Sequence, residues 1–186
     1  RGKIFYGNRF LASKSYCDGR ETGKNRYKMF YTEADANPVT AFINWFRAPR
    51  TSGNTSVSVV QLDDSYYAMT ETNPQTGFDL HSLATLDVGS FTDEAPEAHG
   101  ILTTPHPHFD ARRNQLVNIN IKLGKTSEYR YFSVDATTKK PALIGVREVD
   151  FPAYMHAFGL TENYIVHVEP PLVVFPLRMR FGNIPY

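Results

Sequence analysis

Two histidines and a glutamate are the side chains in this sequence whose settings could carry chemistry. His156 lies in F-P-A-Y-M-H-A-F-G-L-T-E-N-Y, residues 151–164, an apolar run that ends in a polar turn. Read as a strand, the run places His156 on one face with Tyr154 and Phe158, and Met155 and Ala157 on the other. An imidazole in apolar surroundings needs a polar partner, and either a neighbouring carbonyl or a metal ion would serve. His106, in T-T-P-H-P-H-F-D, is the second candidate, 50 positions earlier. The pair lacks the local spacing of a helical zinc site or a Cys-His finger, so spacing alone leaves both readings open. Glu71, next to Thr70 in Y-Y-A-M-T-E-T-N, falls at a hairpin end, where a carboxylate is ordinarily solvated.

The elements that must hold these residues read as strands. Helical periodicity of useful length is hard to find, whereas short runs rich in Val, Ile, Tyr and Phe recur between turn residues, which predicts an all-β chain. Residues 4–10 predict a strand, and 13–26, with Asp18-Gly19 and Thr22-Gly23, predict loops. Strand character resumes at 27–31, breaks at Asn37-Pro38 and returns at 39–46 with the only tryptophan, Trp45, before a polar loop at 50–54. Residues 56–62 pair with 66–71 across Asp63-Asp64-Ser65, 79–88 form another strand or extended segment, and 92–100 make an acidic connection.

Residues 115–123 give the clearest strand, with Val117, Ile119, Ile121 and Leu123 on one face. Leu116, Asn118, Asn120 and Lys122 share the other, which is expected to be wet. Runs at 129–134 and 142–149 follow across turns at 124–127 and 135–141, and 161–163 turn the chain into 164–168. Such even spacing predicts meanders repeated around an axis, or a sandwich. The separation of His106 from His156 is close to the length of one four-stranded propeller blade, about 40 to 50 residues. Equivalent strands of neighbouring blades could thus aim both imidazoles at one central point.

Composition narrows the function classes. The 186 residues, 41% hydrophobic and 13% aromatic, suffice for one domain with a core. Net charge is +1 with Lys and Arg spread along the chain, so nothing marks a nucleic-acid partner. The single cysteine, Cys17, cannot close an internal disulfide and reads as a small buried or half-buried residue. No apolar run is long enough to span a bilayer and no secretory signal precedes the first strand, which predicts a soluble or surface-bound protein. The chain opens on Arg1 and closes on Tyr186 directly after an apolar segment, so a piece of a longer polypeptide is expected.

T-T-P-H-P-H-F-D, Y-M-H-A-F-G-L-T-E-N-Y-I-V and the earlier Y-Y-A-M-T-E-T-N together resemble the carotenoid cleavage oxygenase family, from about residue 8 to the C-terminus. The resemblance implies a seven-bladed β-propeller, of which residues 1–186 would be a single, incomplete segment of several four-stranded antiparallel blades. It further implies ferrous iron, Fe(II), on the propeller axis, held by four histidines from different blades. His106 matches the first of these ligands and His156 the second, while His108 is left to a loop or second-face role. The other two would lie beyond Tyr186, since none of His81, His99 or His167 is in a matching segment. Glu71 matches a glutamate that orients a ligating histidine, in the family a third one that this sequence lacks, and Thr70 matches a position beside oxygen and substrate.

The activity so implied is oxidative cleavage of a conjugated double bond in a carotenoid or apocarotenoid, with both atoms of dioxygen ending in two carbonyl products. The partners are then an apolar polyene and O2, and Tyr154 and Phe158 are candidate walls of its path, against ordinary core packing for each. The segment P-L-V-V-F-P-L-R-M-R-F, 171–181, contributes Leu172, Val173, Val174, Phe175, Leu177 and Phe181 to an apolar patch for monotopic contact with a membrane surface, or else forms an edge packed by missing blades. A soluble or peripheral protein of a reducing compartment, plastid or cytoplasm, fits this reading. The alternative, favoured by the two missing ligands, is a non-catalytic shortened propeller acting as a pigment-binding or assembly subunit of a membrane complex.

Overall fold

A computed structural model describes residues 2–27 and 52–175. The strands expected at 27–31 and 39–46, with Trp45, therefore lie outside the described residues apart from Tyr27, whose side chain is buried. The expected strand at 4–10 is absent: the segment has no regular structure, and Ile4, Phe5, Tyr6 and Phe10 are exposed. The polar stretch after it is a helix rather than loops. α1 (Lys14–Thr22) forms because Ser13 caps it, its Oγ accepting from the Tyr16 N–H at 3.2 Å. Gly23, at φ 68°, closes it in the left-handed conformation and donates to the Gly19 carbonyl at 2.9 Å. Cys17 is exposed on this helix and not buried.

The first sheet is a four-stranded antiparallel meander in the order β1 (Ser58–Leu62), β2 (Ser65–Met69), β3 (Gln75–Phe78) and β4 (Thr85–Gly89). Leu62 pairs with Ser65, so only Asp63 and Asp64 form the turn, and Asp63 takes φ 54°. The 79–88 expectation straddled a turn: Asp79 accepts from the Ser82 N–H at 2.7 Å, and β4 starts only at Thr85. β3, with the sequence Q-T-G-F, has little apolar signal although Gln75, Thr76 and Gly77 are all buried.

The second sheet runs β5 (Leu102–Thr103), β7 (Gln115–Lys122), β8 (Ser127–Asp135) and β9 (Pro141–Val149), with β6 (His108–Asp110) also on β7. β5 and β6 share one edge of β7: Thr103 pairs with Asn120 and His108 with Val117. Between them the edge strand leaves the ladder at P-H-P, after the Thr104 N–H has donated to the Ile119 carbonyl, because Pro105 and Pro107 have no N–H to donate. His106 sits in that gap. Gly100 permits the approach that starts β5; a Cβ there would stand 2.7 Å from the Ile121 carbonyl oxygen, to which Ile101 donates at 3.1 Å.

The centre of this sheet, at β7, is buried on both faces. Val117, Ile119, Ile121 and Tyr129 pack with Ala153, Met155, Phe158 and Val174 on one side. Leu116, Phe132 and Val134 pack with Leu62, Ala95 and Ala98 on the other. The expected wet face of β7 is therefore dry, and Asn118 and Asn120 have no exposed surface. They are tolerated because each is hydrogen-bonded: Asn118 Nδ2 donates to Thr103 Oγ1 at 3.2 Å and the Thr104 carbonyl at 3.0 Å, and Asn120 Nδ2 to Thr92 Oγ1 at 3.1 Å and the Ala98 carbonyl at 2.9 Å.

The apolar run at 151–158 is not a strand. It makes one isolated bridge, Ala153 to Val173, and ladder pairing resumes only where β10 (Gly159–Leu160) meets β11 (Ile165–Val166). Its apolar residues belong to the core all the same, since Ala153, Met155 and Phe158 close the open face of β7 and β8.

Candidate metal centre

Three segments remote in sequence converge on one point. His106 comes from the ladder gap, His156 from the irregular 151–158 segment and Glu71 from the end of the first sheet, where its carbonyl accepts from the Thr103 N–H at 2.9 Å. The Nε2 atoms of His106 and His156 stand 3.1 Å apart, with the rings at 68° to one another. Behind them, His156 Nδ1 donates to Glu71 Oε1 at 2.9 Å, and the Thr70 hydroxyl donates to Glu71 Oε2 at 2.9 Å.

The order of these contacts fixes proton positions. A carboxylate only accepts, so His156 carries its proton on Nδ1, and in the neutral ring Nε2 presents a lone pair toward His106. Burial pushes the Glu71 carboxyl up, but its own main-chain hydrogen bond, the Thr70 hydroxyl and His156 together hold it below the usual range. Glu71 is thus an anion at neutral pH. Its side chain is 17% exposed while that of His156 is 53% exposed, so the carboxylate is sheltered and the imidazole edge is open.

The donor set fits a divalent first-row ion. Two imidazole nitrogens at about 2.1 Å from such an ion and at right angles to each other stand about 3.0 Å apart. The carboxylate behind one of them is the usual outer support of a ligating histidine. His106 and His156 would supply two neutral ligands; among the described residues no group of three or more His, Cys, Asp or Glu side chains could hold a metal ion.

The remaining histidines point elsewhere. His108 Nε2 donates to the Phe158 carbonyl at 2.8 Å, so that nitrogen carries a proton and offers no lone pair. His99 Nδ1 lies 3.4 Å from the Thr92 hydroxyl, and His81 is exposed. His167 is half-buried between Tyr131, whose hydroxyl is 2.7 Å from Nδ1, and Met155, whose Sδ is 3.1 Å from Nε2. Burial lowers its pKa, with Glu169 opposing and Arg147 adding to the effect.

The expected wall residues are less open than a path would ask. Phe158 is 8% exposed inside the core and Tyr154 packs partly buried against the same cluster. In the apolar patch, Leu172, Val173 and Phe175 are exposed, but Val174 is turned into the core; Leu177 and Phe181 lie outside the described residues. By resemblance Glu71 belongs to a histidine that this chain lacks, whereas the structure pairs it with His156, 85 positions away. Asn118, which holds the His106 loop, and the Phe158 contact of His108 have no counterpart in the sequence motifs. No local pattern announces either.

A family model described as RPE65, retinal pigment epithelial membrane protein, matches residues 1–184. The chain is 29% identical over 204 residues to the beta,beta-carotene 15,15'-dioxygenase of Gallus gallus, covering 98% of this chain and 38% of that protein. The Homo sapiens enzyme of the same name is 28% identical over 206 residues, covering 98% and 37%. Among solved structures, a variant of the Synechocystis apocarotenoid oxygenase superposes with a TM-score of 0.68 at 18% identity over 94% of this chain and 36% of that one. The lignostilbene dioxygenase of Pseudomonas brassicacearum does so at 0.62 and 23% identity, over 95% and 35%. The chain thus spans little more than a third of the length of these relatives, and its two meander-like sheets have the fold of an all-β propeller segment.

Proposed function

This chain belongs to the carotenoid oxygenase family, that of the retinal pigment epithelial membrane protein, and on that premise we propose that it forms the His106–His156 part of an iron-dependent oxygenase cleaving a conjugated double bond. The substrate is a carotenoid or apocarotenoid, and the products are two carbonyl compounds that share the atoms of one dioxygen. The observation carrying this reading is the pair of Nε2 atoms 3.1 Å apart with Glu71 behind His156.

His106 and His156 would hold Fe(II) as neutral ligands, with the rest of the coordination shell supplied by polypeptide outside residues 1–186. Ferrous iron supplies the electron-transfer chemistry that lets dioxygen react with an alkene. The residues of this chain do the positioning. Glu71 keeps the His156 proton on Nδ1 and so keeps Nε2 free, and the Thr70 hydroxyl, donating to the other carboxylate oxygen, stops Glu71 from turning away. The exposed edge of His156 leaves room for substrate next to the pair, while Phe158 and Tyr154 back that segment from the core side. Leu172, Val173 and Phe175 contribute to a surface that meets a membrane, the source of an insoluble substrate.

The test uses the complete polypeptide. Incubation with a panel of carotenoids, apocarotenoids and stilbenes, followed by identification of carbonyl products, is expected to give two aldehydes or ketones per substrate consumed. His106→Ala and His156→Ala should each abolish both iron content and cleavage. Full activity in either variant removes the proposal.

A further inference from the structure

His156 is placed by contacts on either side of it, because no ladder runs through it. Upstream, the Ala153 N–H donates to the Tyr129 hydroxyl at 2.6 Å and the Tyr154 N–H to the Leu172 carbonyl at 2.8 Å. Downstream, the Phe158 carbonyl accepts from His108 Nε2 at 2.8 Å. The His108 ring also stands edge-on to the Phe158 ring, with centroids 4.8 Å apart and planes at 78°. Phe158 is itself buried, so its carbonyl needs a partner, and among the described residues the His108 imidazole supplies one.

His108 is well placed to serve as an anchor. It opens β6, paired with Val117 of β7, and β7 is buried on both faces, so its main chain is fixed by the centre of the sheet. Two residues before it stands His106. Two pairs with the same separation of 50 positions therefore meet side by side, His106 with His156 and His108 with Phe158. The first pair faces nitrogen to nitrogen. Both are hydrogen bonds here, but the second is a donor on an acceptor that persists when the first pair turns both lone pairs to a metal.

We propose that His108 is a positioning residue: its Nε2–H bond to the Phe158 carbonyl clamps the 156–158 segment onto β6 and so sets His156 Nε2 against His106. Its consequence for metal affinity rests on the iron reading above, but the clamp itself does not. Side chains near a metal that hold a ligand rather than touch the ion act through geometry, and their loss typically weakens binding by about 10- to 100-fold. His108 thereby works through the Phe158 main chain and Glu71 through the His156 ring.

Nitrogen-15 NMR of the imidazoles in the complete, metal-free protein tests the clamp directly. His108 is expected as the Nε2–H tautomer, and His156 with a hydrogen-bonded Nδ1 proton. His108 found with its proton on Nδ1 overturns the proposal in the wild-type protein, whatever the variants do. His108→Phe keeps an aromatic ring on Phe158 but removes the donor, whereas His108→Gln retains an N–H. In the Phe variant the His156 Nδ1 proton should broaden into exchange, and Co(II), used as the metal probe, should bind about 10-fold more weakly or worse. The Gln variant should restore both. An unchanged His156 proton in a folded Phe variant, or a Gln variant that behaves like the Phe variant, overturns the clamp. Wild-type protein that takes up neither iron nor Co(II) defeats the metal-centre reading instead, and the two proton signals still decide the role of His108.

Discussion

The two imidazoles reach the same point by opposite means. His106 is held by a sheet: the Thr104 N–H donates to the Ile119 carbonyl at 3.1 Å, Asn118 grips Thr103 and Thr104 from the buried face of β7, and the Ser58 hydroxyl of the first sheet donates to the Pro105 carbonyl. His156 has no such ladder: one isolated bridge, with the Tyr154 N–H on the Leu172 carbonyl and the Val174 N–H on the Pro152 carbonyl, tethers the segment before it. Side chains, namely Tyr129, His108, Glu71 and, through Met155, His167, do the rest. A ladder distributes the load over many main-chain bonds, so one imidazole is rigid by inheritance. The other depends on a few individual groups, each of which a substitution can remove.

Removing a buried grip on the sheet side should have the larger effect on stability. Asn118→Leu removes the donor to Thr103 Oγ1 and the Thr104 carbonyl and the acceptor of the Thr104 hydroxyl in a dry interface, and is expected to cost about 1–3 kcal/mol in chemical denaturation. A neutral result would mean that His106 does not depend on the buried amides. On the other side, Tyr129→Phe removes the hydroxyl that accepts from Ala153, and about 0.5–1.5 kcal/mol is expected. Burial pushes the Tyr129 hydroxyl up to about 12, so it stays protonated through the neutral range and the cost should not vary with pH there.

The smallest effect separates the two sides by pH. His167 has its folded pKa lowered by burial, below the ordinary 6.5, so the folded state binds its proton less well than the unfolded chain. Its contribution is complete above the unfolded value and falls as pH drops through 6.5 toward the folded value. His167→Phe should flatten that part of the stability profile. A slope that survives the substitution would assign it to another group and take His167 out of the His156 support.

Much of this arrangement was legible in the residues. The β1–β2 hairpin follows from Asp63 and Asp64 between two apolar runs, and the β7–β8–β9 meander from alternating apolar residues between turns. The histidine motifs were specific enough to pair His106 with His156. What could not be read was burial on the second face of β7, because alternation gives which residues share a face and not what packs on it. The capped helix over Lys14–Thr22 was hidden by its glycine and polar content, since a cap is a local hydrogen bond and not a periodic signal.

Sequence by itself determined the family and the all-β class, since these rest on motif order and on periodicity within single runs. Tertiary structure decided which carboxylate serves which imidazole, which histidine donates and which presents a lone pair, and that residues 151–158 form an irregular segment rather than a strand. The physical reason is range. Alternation and turn chemistry act over a few residues, whereas Glu71 meets His156 across 85 positions and His108 meets Phe158 across 50, contacts that exist only once the sheets have packed.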